Sequence, residues 1–385
     1  MYCVKFKDVF PFIKNGANIK QDANAGGIPI TRIETLAGGE FNTSRLGYAN
    51  IFDISPYYEY VLNSGDILMS HINSPAYLGR AVVFEDKYDI VIHGMNLLRL
   101  KANKELIDSR YAVYLFSGNN FKEHIRKITK KSVNQASFSI NDLKEIELQL
   151  PSIENQVIVA EKLDKLKLLI KKKNKLIVFL DEMIKSRFVE MFGDPNASRT
   201  KYKLVPIHTV TDCMVPGRDK PKSFTGEIPW ITINDLNING YTNKSKLGLG
   251  LTIDEVKEVN RKCVPQGSVL MSCVGNLGLC SIASVDVVIN QQLHSYQCNE
   301  FINNLYLMYY LSFKNTYMNK IASSTTVLYM NKNACNNIPV LLPPIELQIS
   351  FAKYLNRINK LKSDVQKSID ETQLLMDSLM QEYFG

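Results

Sequence analysis

Histidine and cysteine are scarce in this chain, and neither is arranged for chemistry. The five histidines (His71, His93, His124, His208, His294) and seven cysteines (Cys3, Cys213, Cys263, Cys273, Cys280, Cys298, Cys335) show no metal-ligand spacing. An odd number of thiols in mostly apolar surroundings reads as reduced cysteine in a cytoplasmic protein, with no metal site. No apolar run approaches the ~18 residues of a membrane span, and the opening MYCVKFKDVF has no signal-peptide core. Phosphate loops, dinucleotide-binding glycine fingerprints, nucleophile elbows and the Asn-Pro-Pro-Tyr type of methyltransferase tetrapeptide are all missing. A nuclease-like Glu-x-Lys occurs at Glu255-Val256-Lys257, without the upstream Pro-Asp that would support it. No catalytic residue is assigned.

What the chain does contain is a repeat. Residues 151–193 return as residues 343–385 with no gap, and 13 of the 43 aligned positions are identical. Unrelated segments would share about two or three. The identities include Pro151/Pro343, Ile153/Ile345, Glu154/Glu346, Gln156/Gln348, Ala160/Ala352, Leu163/Leu355, Phe192/Phe384 and Gly193/Gly385. Each copy follows an apolar, strand-like run and, beyond its opening Pro151 or Pro343-Pro344, holds no proline or glycine before its last residue. Apolar residues recur at steps of three and four: Leu163, Leu166, Ile170, Ile177, Leu180 and Ile184 in the first copy, and Leu355, Ile358, Val365, Ile369, Met376 and Leu379 in the second. This is the seam of helices that pack side by side. Lys173, Arg187, Lys362 and Thr372 interrupt it. Two helices of about 37 residues, each roughly 55 Å long, are expected to pair as a coiled coil and act as spacers. Lys171-Lys172-Lys173 reads as a solvated helix face.

The duplication extends upstream. Ile28-Pro29 returns as Ile228-Pro229, and residues 65–70 return as residues 267–272. Val91-Ile92 returns as Val288-Ile289, and the polar run at 131–135 has its counterpart at 323–326. Strands are expected at 28–30, 66–70, 80–84 and 89–93, with helices at 104–117, 120–127 and 305–312. The expected order is a globular unit at 1–150, a long helix at 151–193, a second unit at 194–342 and a second helix at 343–385. The fold class is α+β, in a pseudo-two-fold arrangement.

With 385 residues the chain is long enough for two cores, and its net charge of +8 permits a polyanionic partner without requiring one. Polar residues in matching loops are suited to base edges and phosphates. The first unit offers His71, Asn73, Arg80, Asn96, Lys130, Lys131, Asn134 and Gln135. The second offers Asn276, Asn290, Gln291, Gln292, His294, Ser324, Thr325 and Tyr329. Gly275-Asn276-Leu277-Gly278 reads as a tight turn and Trp230 as core.

The pattern resembles the specificity subunit of type I restriction-modification systems. The resemblance rests on Leu150-Pro151-Ser152-Ile153-Glu154-Asn155-Gln156 and Leu342-Pro343-Pro344-Ile345-Glu346-Leu347-Gln348, each opening a long helix. It also rests on the ends at Phe192-Gly193 and Phe384-Gly385, on Ile228-Pro229-Trp230 and on Gly267-Ser268-Val269-Leu270. It departs from the family at Asn155 and Leu347, where a second acidic residue is frequent. The resemblance implies two target-recognition domains, each reading half of a split, asymmetric double-stranded DNA site. It implies antiparallel helices holding the domains apart. Its partners would be methyltransferase (modification) subunits, which carry S-adenosylmethionine and methylate adenine at N6, and restriction (motor-nuclease) subunits. The chain itself would bind no cofactor and no membrane. Two other readings fit the same residues: the recognition subunit of a related fused methyltransferase-nuclease enzyme, or a duplicated coiled-coil scaffold that binds only proteins.

Overall fold

Both halves build their sheets from short strands, because their apolar runs are cut at close intervals by glycine, asparagine and proline. A computed structural model of the chain describes residues 2–22, 24–85, 89–131, 135–197, 199–217, 219–324 and 327–385. Two compact units result. Unit 1 comprises Met1–Asn174 and Lys367–Gly385, and unit 2 comprises Lys175–Gln366.

Unit 1 runs β1 (Tyr2–Lys5), α1 (Phe6–Val9), β2 (Phe12–Asn15), β3 (Ile67–Ser70), β4 (Ile72–Asn73), β5 (Ala81–Val83), β6 (Leu97–Lys101), α2 (Ser109–Ser117), α3 (Asn119–Ile128), β7 (Lys130–Lys131), β8 (Ala136–Ser137), α4 (Ile140–Lys144) and β9 (Glu147–Leu150). It then enters α5 (Ile153–Phe192), which it shares with unit 2. The main sheet has the order β2-β6-β3-β5, all antiparallel, while β1 pairs with β9 and β4-β8-β7 form a small separate sheet. In the core Phe6 packs against Phe10 and Phe116 against Phe121, each pair tilted and 4.6 Å apart between ring centroids.

The strands expected at 28–30 and 89–93 are single bridges only, Ile30 with Gly47 and Ile92, and Ile92 with Val61. Gly27, at a φ of 88°, turns the chain just before Pro29, which has no N–H to donate. The helix expected from 104 starts at Ser109, because the Asp108 side chain accepts from the Arg110 and Tyr111 amides and caps it there.

Unit 2 continues through β10 (Leu204–Pro206), β11 (Thr211–Met214), β12 (Ile228–Ile231), β13 (Tyr241–Thr242), β14 (Gly250–Leu251), α6 (Ile253–Glu258), β15 (Val269–Ser272), β16 (Cys280–Ala283), β17 (Val288–Ile289), β18 (Leu293–Cys298), α7 (Asn304–Ser312), α8 (Asn315–Ile321), β19 (Ser323–Ser324), β20 (Leu328–Tyr329), α9 (Lys332–Asn336) and β21 (Pro339–Leu341). The final helix α10 (Ile345–Phe384) begins in this unit and ends in unit 1. The main sheet is β11-β18-β15-β16-β13, and a second, β14-β12-β17, contains a parallel pair that sets Ile231 opposite Ile289.

Helices α5 and α10 are 40 residues each, about 60 Å long at 1.5 Å per residue. Each unit contains a stretch of both, running antiparallel. In unit 1, Phe384 packs on Tyr111 beside buried Val159, Ala160 and Leu163, while Lys173 farther along α5 meets Ser368 and Thr372. In unit 2, Phe351 lies 5.2 Å from Phe188, and Lys362 bonds Asp181 at 2.5 Å. The twelve seam residues are buried or half-buried. Fully burying a side chain such as Phe188, Phe192 or Phe351 is worth about 1.5–3 kcal/mol.

The polar interruptions of the seam have partners. Lys173 donates to the Ser368 carbonyl, the Ser368 hydroxyl and the Thr372 hydroxyl at 2.8–3.0 Å. Arg187 stands over the Tyr354 ring. The three-lysine run at 171–173 is therefore not a uniform solvated face: Lys171 pairs with Glu40 at 2.9 Å, Lys173 enters the seam, and Lys172 is exposed.

Each unit is bolted to its long helix by an equivalent glutamine. Gln156 is fully buried; its Nε2 donates to the carbonyls of Leu106 and Pro151, and its Oε1 accepts from the Asp108 amide. Gln348, also fully buried, donates to Phe301 and Pro343 and accepts from Asn303. Asp108 and Asn303 cap α2 and α7. The Pro-x-x-x-x-Gln spacing of the repeat places the amide over the turn where strand, cap and helix meet.

Candidate nucleic-acid interface

In unit 1 the small β4-β8-β7 sheet gathers the candidate residues. Its register places both Asn73 and Lys131 opposite Ala136, with Lys130 opposite Ser137. Lys130, Lys131 and Gln135 are exposed, and Asn73 is half-buried. Helix α3 leads into β7 and ends in Arg126 and Lys127. Lys122, Arg126, Thr129 and Lys131, with Pro75, Ala76, Leu78 and Ile125, line a cavity of about 490 Å3. Next to it the Arg80 guanidinium stacks 4.5 Å over the half-exposed Tyr77 ring. This is a concave, cationic surface with an aromatic wall, a form that fits a phosphate backbone. Lys122, Arg126 and Tyr77 are additions to the sequence reading. In the sequence, Lys122 and Arg126 look like the solvated face of an ordinary helix, and only the position of α3 against β7 identifies them. Asn134 lies outside the described residues.

Behind this surface the polar groups are buried. His71, directly after β3, is 5 % exposed and bonds the Asn96 backbone. His93 bonds the Leu97 carbonyl at 3.0 Å. Burial pushes both rings down to about 4, so they are neutral at pH 7. Asn96 adopts a φ of 75° at the tip of the same turn and is half-buried. Arg99 of β6 bonds Asp66 at 2.6 Å in a pair that is 3–4 % exposed, and also donates to the Glu59 carbonyl. The turn at 93–96 is thus carried on a buried polar base, in which His71 Nδ1 and Arg99 Nε have no hydrogen-bond partner among the described residues.

In unit 2 the equivalent place is neutral. Val274 bridges Tyr329, the Gly275 amide donates to Leu328, and the Met330 amide donates to the Cys273 carbonyl. Asn276 and Tyr329 are exposed on this corner. The Gly275–Gly278 segment is a tight turn, with φ of 73° and 75° at its two glycines and the Ser272 hydroxyl accepting from the Leu279 amide. The Cys273 amide donates to the Gln292 carbonyl, which brings the 290–292 turn to the same corner. There Asn290 Nδ2 donates to Gln292 Oε1, and Gln291 is exposed. Cys273 thus occupies the place of His71, each touching the turn ahead of the next strand. The flanking helices α8 and α9 each carry one exposed lysine, Lys320 and Lys332. His294 is 1 % exposed, held near 4 by burial, and lies beneath the corner rather than on it. The Ser324 backbone belongs to β19, and Thr325 lies outside the described residues.

Glu255 of the Glu-x-Lys triplet is an anchor. Its carboxylate accepts from the Ser223 hydroxyl and from the Thr252 and Thr225 amides, which holds it at about 2. It closes the capping box of α6. Among the described residues no cluster of three or more His, Cys, Asp or Glu side chains could hold a metal, and no helix is long and apolar enough to cross a membrane.

Comparison with known proteins agrees with this architecture. The sequence profile of the family described as type I restriction modification DNA specificity domain matches residues 2–178 and again residues 212–372. The chain is 29 % identical to the MjaX type I restriction enzyme specificity subunit of Methanocaldococcus jannaschii, over 93 % of this chain and 86 % of that one. It is 23 % identical to the MjaIX specificity subunit of the same organism, over 47 % of this chain and 43 % of that one. Among solved structures, the type I restriction-modification S subunit from M. genitalium superposes with a TM-score of 0.60 at 13 % identity, covering all of this chain and 96 % of that one. A chain from a study of assembly and conformational transition of the type I R-M system gives 0.62 at 16 % identity, covering all of this chain and 97 % of that one.

Proposed function

The chain belongs to the family of type I restriction-modification DNA specificity domains, and from that premise we propose that it is the DNA-reading subunit of such a complex. Each unit reads one half of a split, asymmetric site in double-stranded DNA. The long helices set the length of unread DNA between the halves. The observation that carries this reading is a shared scaffold with unshared chemistry. The strand order, the glutamine bolt and the corner of loops recur in both units. The corner itself is cationic in unit 1 (Lys122, Arg126, Lys130, Lys131) and amide-rich in unit 2 (Asn276, Asn290, Gln291, Gln292). Two readers of different sequences need this combination.

The chain does no bond chemistry in this reading. Methyltransferase subunits carrying S-adenosylmethionine supply adenine-N6 methylation, and restriction subunits supply translocation and cleavage, all in the cytoplasm. Exposed apolar side chains on the helices support docking by such partners. Leu168 and Leu374 in unit 1 are 51 % and 72 % exposed, and Val178 and Phe179 in unit 2 are 59 % and 55 % exposed.

The test is a map of modified adenines across the host genome with and without this gene. Loss of one motif made of two short halves around a fixed gap is the expected result. An unchanged map from cells that express the protein refutes the reading.

A further inference from the structure

Arg261 is 8 % exposed, and its guanidinium joins two segments that carry no other described hydrogen bond to each other. Nη1 donates to the Ile289 carbonyl at 2.7 Å, the last residue of β17 before the 290–292 turn. Nη2 and Nε donate to the Asp219 carbonyl at 2.6 and 3.3 Å, within the loop that follows β11. The guanidinium plane lies 4.8 Å over the Trp230 ring, and Trp230 is the β12 neighbour of Val288. One side chain therefore fixes the base of the 290–292 turn, the loop at Asp219 and the Trp230 ring of β12.

That loop bears exposed Lys220 and Lys222 and the exposed side chain of Val215. It leaves β11, whose Met214 carbonyl accepts from Ser295 two residues past the start of β18. The loop thus emerges at the same sheet end as Gln291.

Unit 1 solves the same problem with backbone. Its loop after β2 is tied to the 93–96 turn by the Ala17 amide donating to His93, by the Met95 amide donating to Ala17, and by the Ala17–Gly94 bridge. Unit 2 has a guanidinium where unit 1 has a ladder. Burying a cation costs several kcal/mol before its hydrogen bonds and ring stacking offset that cost. An apolar filler would suffice to pack Trp230. A planar fork holds two carbonyls on different segments at fixed separation, which an apolar filler cannot do.

We propose that Arg261 is a positioning residue for sequence reading by unit 2, locking the segment at 219–222 and the 290–292 turn into one DNA-facing surface. This rests on the reading of unit 2 as a DNA reader. In the assembled complex with its methyltransferase subunits, methylation rates are compared on the cognate site and on sites with one base changed in either half. Arg261→Met is expected to reduce discrimination at least tenfold in one half only, the same half that Gln291→Ala affects. Discrimination in the other half and the salt slope of binding stay unchanged. Arg261→Lys keeps the cation and the ring contact but not the fork, and is expected to reduce discrimination in that half by a smaller factor.

Equal losses in both halves, or a lowered melting temperature with discrimination intact in both variants, would overturn the proposal. If Arg261→Met does not fold, wild-type discrimination in Arg261→Lys overturns it alone. A wild-type complex that discriminates in neither half refutes the DNA-reading assignment itself, a result separate from failure of the Arg261 role.

Discussion

Replacing Gln348 with methionine keeps the volume of the side chain and removes its three hydrogen bonds. In the wild type these bonds are 2.8, 2.9 and 3.0 Å long, and the Gln348 side chain itself is fully buried. Each bond is worth about 0.5–1.5 kcal/mol net, and each buried group left alone costs about 1–3 kcal/mol. With partial relaxation toward water at the helix start, Gln348→Met should cost about 3–6 kcal/mol. For a unit the size of Lys175–Gln366, about 2–4 °C is lost per kcal/mol, so the midpoint should fall by roughly 6–24 °C. The chain supplies its own probe. Trp230 is the sole tryptophan, sits in unit 2 and is 5 % exposed, so its fluorescence follows that unit. The equivalent change in unit 1, Gln156→Met, should lower the far-UV dichroism transition and move the tryptophan transition less. A tryptophan midpoint displaced by less than ~2 °C in Gln348→Met would show that the bolt bears no load. Equal displacement by both variants would show that it is not local.

Three further outcomes are expected. Asp66→Ala strands the Arg99 guanidinium in the core and should destabilise unit 1 by about 3–5 kcal/mol, with part recovered when Arg99 is also made methionine; chemical denaturation of the single and double variants reads this. His93 is held at about 4 when folded, against ~6.5 when unfolded, so the unfolded chain takes the proton first. Its contribution is complete above pH ~6.5 and drains as pH falls toward 4, by up to about 1.4 kcal/mol per pH unit. Denaturation midpoints should therefore fall as pH drops below 6.5, with a shallower fall in His93→Asn. Lys131→Ala should weaken binding to every sequence and reduce the salt slope by about one, whereas Gln291→Ala should relax preference at one base pair; titrations at several salt concentrations separate the two.

The long helices were legible because a seam repeated over 40 residues leaves few alternatives, and duplication printed it twice. The seam's polar interruptions were visible, but their meaning was not. Lys173 finds Ser368 and Thr372 nearly two hundred residues away, and no local pattern encodes that meeting. The interface was legible as a set of residue types in matching loops, not as a surface. Strands of two residues such as β4, β7 and β8 carry no periodicity, yet they set Asn73 and Lys131 on either side of Ala136. His71 and His294 have the polarity of contact residues, and the packing places both beneath the surface. Arg261 had no signal at all, because a lone arginine in a polar stretch reads as solvated.

The division of both helices between the units has a consequence for how the protein comes into being. The wall that closes unit 1, residues 367–385, is the part of the described chain that the ribosome makes last. At about 5–20 residues per second, the first 174 residues wait on the order of ten to forty seconds for it. Through that interval Leu163, Ala160 and the ring of Tyr111 have no Phe384 to cover them. Unit 2, whose stretches of both helices are translated contiguously with the rest of it, meets no such delay. The half that is made first is therefore finished second, and chaperone dependence should concentrate in unit 1.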